Sequence, residues 1–199
     1  MVFSRSDTSS AGRVVEDGKV PIPVKMIVAG GFAVGKTTFV TSLSEIEPLT
    51  TEANMTQVSE GIDDTGSATS KRGTTVAMDF GRISLGDDLI LYLFGTPGQE
   101  RFHFMWDDLV RGAIGAVVLV DTTRLQDCFP AVDYFERSGL PFVVAVNTFH
   151  GQLHHRLEDV REALAVPGHV PMVVTDARNR EATKATLLEL VQHALAQSR

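Results

Sequence analysis

The sequence predicts an α/β fold in which a mostly parallel sheet of six strands, one of them antiparallel, is covered by helices on both faces. Three observations carry this expectation. Short apolar, β-branched runs alternate with segments of helical periodicity from about Val24 to the C-terminus. A Gly-rich turn separates the first run from the first helical segment. Two later runs are joined by Gly86-Asp87-Asp88, which reads as a hairpin and supplies the antiparallel strand.

Residues 1–20, "MVFSRSDTSSAGRVVEDGKV", are polar and Ser-rich and are expected to form a mobile arm, leaving 21–199 as one domain. "VKMIVAGG" is a buried strand, and "KTTFVTSLS" opens a helix. Residues 46–73 hold Pro, Gly, Ser, Thr and acids without clear apolar periodicity, which suggests a long flexible loop of functional purpose. "TTVAMDFGRISL" and "DLILYLF" are the hairpin strands, and "RFHFMWDDLVRGA" is helical. The strand "IGAVVLVD", a helix through Phe135 and the strand "PFVVAVN" follow. Leu157, Val160, Ala163 and Leu164 mark one face of the next helix. "VPMVVTD" is the last strand, and Leu187, Leu188, Val191, Ala194 and Leu195 stripe the closing helix.

Composition excludes several classes. A net charge of −7 with no dense basic run argues against nucleic acid and against an anionic membrane surface. The one cysteine, Cys128, cannot form an internal disulfide, as fits a reducing cytosol. There is no apolar run of membrane-spanning length and no signal-peptide pattern, so a cytoplasmic protein is expected.

"GGFAVGKTT" matches G-x-x-x-x-G-K-[ST] at Gly30, Gly35, Lys36 and Thr37, in the strand-to-helix setting the motif requires. Glycines let backbone N–H groups turn inward around a phosphate, and the helix N-terminus adds partial positive charge. Gly30, Ala33, Val34, Gly35, Lys36, Thr37 and Thr38 form the candidate nucleotide cradle. Lys36 is the cation for the β- and γ-phosphates, and the Thr37 hydroxyl is a Mg²⁺ ligand. Thr38 is turned about 100° from Thr37 and reads as packing rather than a second metal ligand.

The stretch "LFGTPGQERF" poses a question. It has the form of a nucleotide switch, yet Gly95 stands where such a strand usually ends in aspartate. With the phosphate loop, "TTVAMDFGRI" and "VAVN", it resembles the Ras-like small GTPases, within them the bacterial branch of gliding-polarity and actinobacterial conservon GTPases. The resemblance runs from about Val24 to the end and implies the Ras-like P-loop three-layer sandwich. It implies that Thr75 is the switch I threonine that coordinates Mg²⁺, that residues 46–73 contain switch I, and that Asp79 replaces the missing carboxylate. Gln99 would orient the attacking water, and Gly98 would sense the γ-phosphate. Spacing is compatible: Thr75 and Asp79, four apart on a strand, project to one face, and Gly95 carries no side chain to obstruct an approach. An Asp79 that bonds the neighbouring loop without touching metal is the alternative. An internal arginine finger is doubtful, because Thr74 occupies its usual place, and Arg72 and Arg101 read as solvated. Phe102, Phe104, Met105 and Trp106 cannot all face the sheet, so some are expected to serve partner binding.

The base-reading end departs from the family. Instead of Asn-Lys-x-Asp the chain has Asn147, Thr148, Phe149 and His150. A neutral imidazole accepts one hydrogen bond where a carboxylate accepts two from guanine. Phe149 is placed to stack on the base. "TDAR" resembles the last guanine motif, with Ala177 offering its N–H to the base oxygen, Arg178 in place of a lysine, and Asp176 as a substitute acceptor. His150, His154 and His155 read as a solvated loop and helix start.

The expectation is therefore a small GTPase switch that binds GTP and GDP with Mg²⁺ and hydrolyses GTP slowly. The alternative is a pseudo-GTPase scaffold with relaxed base specificity, and a small-molecule P-loop kinase is a third, weaker reading. The conservon resemblance implies protein partners at the switch regions, such as a roadblock-type protein and a histidine-kinase-like membrane protein that could recruit the chain to the membrane. No nucleic acid is expected.

Overall fold

The computed structural model describes residues 20–47, 49–55, 74–98, 100–148 and 151–198. The strands are β1 (Ile22–Gly30), β2 (Leu49–Met55), β3 (Thr74–Leu85), β4 (Leu89–Gly95), β5 (Ala113–Val120), β6 (Phe142–Asn147) and β7 (Met172–Thr175). The helices are α1 (Lys36–Leu43), α2 (Trp106–Val110), α3 (Phe129–Ser138), α4 (Leu157–Ala163) and α5 (Arg180–Gln197). They form the expected three-layer α/β sandwich, a mostly parallel sheet in which only β3 runs against the rest.

The sheet has seven strands in the order β2-β3-β4-β1-β5-β6-β7. The six expected strands are all present, and β2 adds an edge strand inside the 46–73 segment, where a loop is expected. Its signal was faint. Leu49, Ala53 and Met55 share one parity and Thr50, Glu52 and Asn54 the other, but the threonines and Glu52 dilute the alternation. Polar content of this kind suits an edge strand. Residues 56–73 and the proposed arm, residues 1–19, lie outside the described residues.

The continuous apolar runs have a plain cause. β6 is buried along its whole length, and β1 and β5 along most of theirs, because helices cover both faces. Alternation then sorts each strand between two cores. Ile27, Ala29, Ala116, Val118 and Val144 face α3 and α4, together with Trp106 and Phe135. Met26, Val28, Val117, Leu119 and Val143 face α1 and α5, packing on Phe39, Val40, Leu43 and Leu190.

The segment read as one helix after the switch is instead a 3₁₀ turn over Glu100–Met105 followed by the short α2. Of its aromatic cluster, Trp106 is fully buried against Tyr134 and Phe135, and Phe104 is exposed.

Register positions the site. Val28 pairs with Gly95, so the ends of β1 and β4 meet beside the turn that follows β1. Phe80 pairs with Phe94, which brings Asp79 opposite Gly95 one step further on. α1 can sit this low on the sheet because β3 carries Gly81 beneath it. A Cβ there would lie 2.7 Å from Val40 Cγ1 and 3.2 Å from Ser44 Cβ. Gly81→Ala should therefore lift α1 and destabilise the protein by about 1–3 kcal/mol, read as a lower urea midpoint at unchanged m-value. An unchanged midpoint would show that α1 has room to spare.

Candidate functional site

The turn between β1 and α1 is the centre of the site. α1 begins without a side-chain cap: Gly35 holds the N-cap position in the left-handed region at φ 103°, so the first amides of the helix are free of a competing side chain. Gly35 is also required by space, since a Cβ would stand 2.6 Å from Asn147 Nδ2. Ala33 takes φ 59°, a conformation uncommon outside glycine. Val34 is buried, whereas Ala33, Thr37 and Thr38 are exposed around the turn. Thr38 therefore lacks the packing role expected of it.

Lys36 is buried and donates from Nζ to the carbonyl oxygens of Gly30 at 3.0 Å and Gly31 at 2.6 Å. The ammonium thus curls back over its own loop. Burial pushes its pKa down to about 8, against the opposing pull of Asp79 and the Cys128 thiol. Burial also holds the Cys128 thiol above its ordinary value. Gly98 leans on this lysine, and a Cβ at that position would lie 2.6 Å from Lys36 Nζ and 3.0 Å from Phe32 Cα. Any side chain there would displace either the lysine or the loop.

Asp79 reaches across the hairpin to the same place. The Cβ that Gly95 lacks would fall 3.0 Å from Asp79 Cβ and 3.1 Å from Asp79 Oδ2, so the carboxylate of β3 fills the space above the bare end of β4. Gly95 is not in the left-handed region, so its role here is clearance and not backbone freedom. The Thr37 hydroxyl donates to Asp79 Oδ2 at 2.7 Å. A hydroxyl and a carboxylate oxygen, one hydrogen bond apart at a helix N-terminus, suit a hard divalent cation that keeps several waters. Among the described residues no cluster of three or more His, Cys, Asp or Glu is present. A cation here would rely on Thr37, Asp79, water and phosphate oxygens.

Thr75 lies at the start of strand β3, where its backbone pairs with Asn54. Gln99 lies outside the described residues.

At the other end of the turn, Asn147 ties three loops together. It donates from Nδ2 to the Val34 carbonyl at 2.9 Å and accepts from the Ala177 N–H at 3.0 Å through Oδ1. Sequence reading assigned Asn147 to the base and missed this bridge, which depends on two segments distant in the chain. Thr148 is buried and bonds the Thr175 carbonyl with both its N–H and its hydroxyl, at 2.8 Å and 3.0 Å. It thus closes the sheet end. Arg178 grips Asp176 with Nε at 3.0 Å and a terminal nitrogen at 2.8 Å, so the candidate substitute acceptor already serves a guanidinium. The Asp-x-Arg spacing was the available signal for that pair. Phe149 and His150 lie outside the described residues.

A cavity of about 250 Å³ adjoins the loop, lined by Gly30, Gly31, Phe32, Gly98, His103 and Trp106 among others. Arg124, ion-paired with Asp127, stands on its wall.

Comparison with known proteins follows from this geometry. The family described as "conserved hypothetical ATP binding protein" matches residues 28–197. The chain belongs to that family. It is also similar to an uncharacterized protein, MJ1339, of Methanocaldococcus jannaschii, with 30% identity over 126 residues, covering 62% of this chain and 69% of that protein. Among solved structures it resembles the cytosolic domain of the T. maritima FeoB iron transporter in a GDP form, with a TM-score of 0.61 at 16% identity, covering 88% of this chain and 64% of that one. The FeoB G-domain from Methanococcus jannaschii matches with a TM-score of 0.56 at 12% identity, covering 86% of this chain and 98% of that one. The fold of this family member is thus that of P-loop GTPase-like domains, and the chain spans just under two thirds of the first FeoB structure. Among the described residues no helix is long and apolar enough to cross a membrane.

The Asn147 bridge yields a test. Asn147→Ala leaves the Val34 carbonyl and Ala177 N–H without their partner in a buried setting, which should destabilise the protein by about 1–3 kcal/mol. Hydrogen exchange should rise at Val34–Lys36 and at Ala177 together. A rise at one loop alone would separate the two contacts.

Proposed function

We propose that the chain is a GTPase-type nucleotide switch that binds nucleoside di- and triphosphates with Mg²⁺ and hydrolyses the triphosphate slowly. The observation that carries this reading is the Thr37–Asp79 hydrogen bond above Gly95, which restores a carboxylate to the position the switch strand has lost. Lys36 would leave the Gly30 and Gly31 carbonyls to meet the β- and γ-phosphates, while the backbone N–H groups of the turn and of α1 bind the β-phosphate. Mg²⁺ would be held by Thr37 and Asp79, the latter directly or through water, and would neutralise charge on the phosphate oxygens. Gly98 would turn its N–H toward the γ-phosphate and carry Gln99 to the attacking water. Positioning and charge stabilisation supply most of the catalysis in such reactions, and without an activator turnover should be slow. By the family resemblance Thr75, at the start of β3, is the proposed further ligand of the ion. By resemblance to the conservon GTPases, a roadblock-type protein and a histidine-kinase-like membrane protein are the proposed partners.

A second reading has its own support. Asp176, the candidate substitute acceptor at the base end, is engaged by Arg178. A scaffold that holds nucleotide with relaxed base choice follows if turnover is absent. The nucleotide that co-purifies, and its hydrolysis rate with and without Mg²⁺, decide between the readings.

Three measurements test the proposal. Asp79→Asn should weaken Mg²⁺-dependent nucleotide affinity about tenfold or more, equivalent to roughly 1.4 kcal/mol or more, while metal-free diphosphate binding persists. Asp79→Gly with Gly95→Asp should recover part of the loss, since one side chain vacates the space the other enters. Wild-type Mg²⁺ affinity in Asp79→Asn would leave the carboxylate a purely structural role.

The second is pH. Free Lys36 loses its proton above about pH 8, whereas phosphate contact favours the charged form, so affinity should fall by up to ~tenfold per pH unit above pH 8. The stability of the empty chain should move the other way. The unfolded lysine keeps its proton up to its ordinary pKa of 10.5 and so binds more protons than the folded one between about pH 8 and that value. Calorimetric titrations at pH 7.5 and 9.5 show the effect, and a flat profile would contradict the burial of Lys36.

The third is base choice. GDP should exceed ADP in affinity by no more than about tenfold, and His150→Asp should widen the gap. A thousandfold preference in the wild type would place guanine reading on Asp176 or the backbone.

A further inference from the structure

The connection between β5 and α3 presses against the phosphate loop. A Cβ on Gly31 would stand 2.8 Å from Asp127 Cβ and 2.8 Å from the Asp127 carbonyl oxygen, so no side chain fits between the two segments. The connection is itself tied down. Asp121 Oδ1 accepts from the Thr123 N–H at 2.9 Å and from the Thr123 hydroxyl at 2.7 Å. The Arg124 N–H donates to the Asp121 carbonyl at 3.1 Å, and the Asp127 N–H donates to the Arg124 carbonyl at 3.1 Å. The backbone that carries Arg124 is thus held in a set place beside Gly31. From there the Arg124 side chain reaches the cavity of about 250 Å³, whose walls also include Gly31, Phe32 and Gly98. Arg124 is the one arginine or lysine among the described walls of that cavity. Its guanidinium is ion-paired with Asp127 through one terminal nitrogen. A guanidinium has five N–H donors, so this contact leaves most of the fork unused. The side chain is 45% exposed, so its head can turn without unpacking a core.

We propose that Arg124 is a catalytic residue supplied in cis: with a triphosphate bound, its guanidinium turns from Asp127 into the cavity and donates to oxygens of the γ-phosphate. The inference rests on the hydrolysis reading given under the proposed function. In that step a water oxygen bonds to the γ-phosphorus. The bond from the γ-phosphorus to the bridging oxygen breaks, its electron pair leaves with the diphosphate, and the water gives up one proton to the released phosphate or to solvent. Negative charge builds on the bridging and γ oxygens as this happens, and a planar fork of N–H donors matches two such oxygens where a lysine offers one point charge. Asp127 offers the guanidinium the same kind of oxygen pair while no phosphate is present. Its side chain is 30% exposed, so water takes over when Arg124 departs. The fixed backbone places the arginine before the reaction starts, which is where such charge stabilisation gains its effect. One arginine in cis still leaves turnover slow beside that of an activated complex.

The test uses the full chain, with single-turnover hydrolysis of GTP and calorimetric binding of GDP, alone and with aluminium fluoride, each in the presence of Mg²⁺. Arg124→Ala should slow hydrolysis at least ~100-fold, since an arginine at this step is worth about 10³-fold or more. Its affinity for GDP alone should stay within about twofold of wild type, because the arginine acts on the transferring group and not on the diphosphate. Binding of GDP with aluminium fluoride, which mimics that group, should be lost. Asp127→Asn breaks the same ion pair but leaves the arginine, so hydrolysis should stay within about tenfold of wild type, as an exposed pair is worth little in itself. Arg124→Lys keeps the stem and the charge without the fork and should still lose at least ~10-fold, so the test stands even where Arg124→Ala impairs folding. A smaller fall in Arg124→Ala would overturn the proposal. So would an equal fall in Asp127→Asn, which would leave Arg124 a structural ion pair. A wild type that hydrolyses no GTP overturns the hydrolysis reading together with this inference, whereas a wild type that hydrolyses GTP no faster than Arg124→Ala overturns this inference alone.

Discussion

The contact on which the site depends is the placement of Asp79 over Gly95. It joins three elements at one point: β3 through the aspartate, β4 through the bare glycine, and α1 through the Thr37 hydroxyl. The β3–β4 register sets which β3 residue stands opposite Gly95, and a slip of one residue would send that side chain to the other face of the sheet. Gly81, two residues along the same strand, lets α1 descend far enough for Thr37 to meet the carboxylate. Fold and candidate chemistry are therefore linked through two glycines of neighbouring strands.

Much of this was legible in the chain. The strand–helix alternation gave the sandwich because fully buried strands leave continuous β-branched runs, as in "FVVAVN". The phosphate loop was legible because left-handed Gly35 and the close approach of Asn147 leave no other residue type. That Asp79 belongs beside Gly95 was implied by the resemblance to the bacterial GTPase branch, with which the bare position 95 is compatible. Other features were not visible. Strand β2 carries too many polar residues to announce itself, since an edge strand needs only one apolar side. The bridge from Asn147 to Val34 and Ala177 joins positions 113 and 30 residues away in sequence, which no local pattern encodes. The place of Thr75 on β3, by contrast, was legible, because "TTVAMDFGRISL" reads as one strand over the same residues.

The two ends of the loop differ in what they leave available. At the β1–α1 turn, the helix amides and the Lys36 ammonium are gathered beside the loop's own carbonyls and the Asp79 carboxylate. At the base end, Asn147, Thr148 and Asp176 all hold protein partners already.

The inward curl of Lys36 bears on exchange. In many anion sites removal of the ligand leaves a buried cation stranded, and the empty state is a high-energy passage that an outside factor must ease. Here the ammonium is held by the Gly30 and Gly31 carbonyls, while burial lowers its pKa to about 8. Any anion drawn to this turn must therefore compete with carbonyl oxygens of the very loop that presents the lysine.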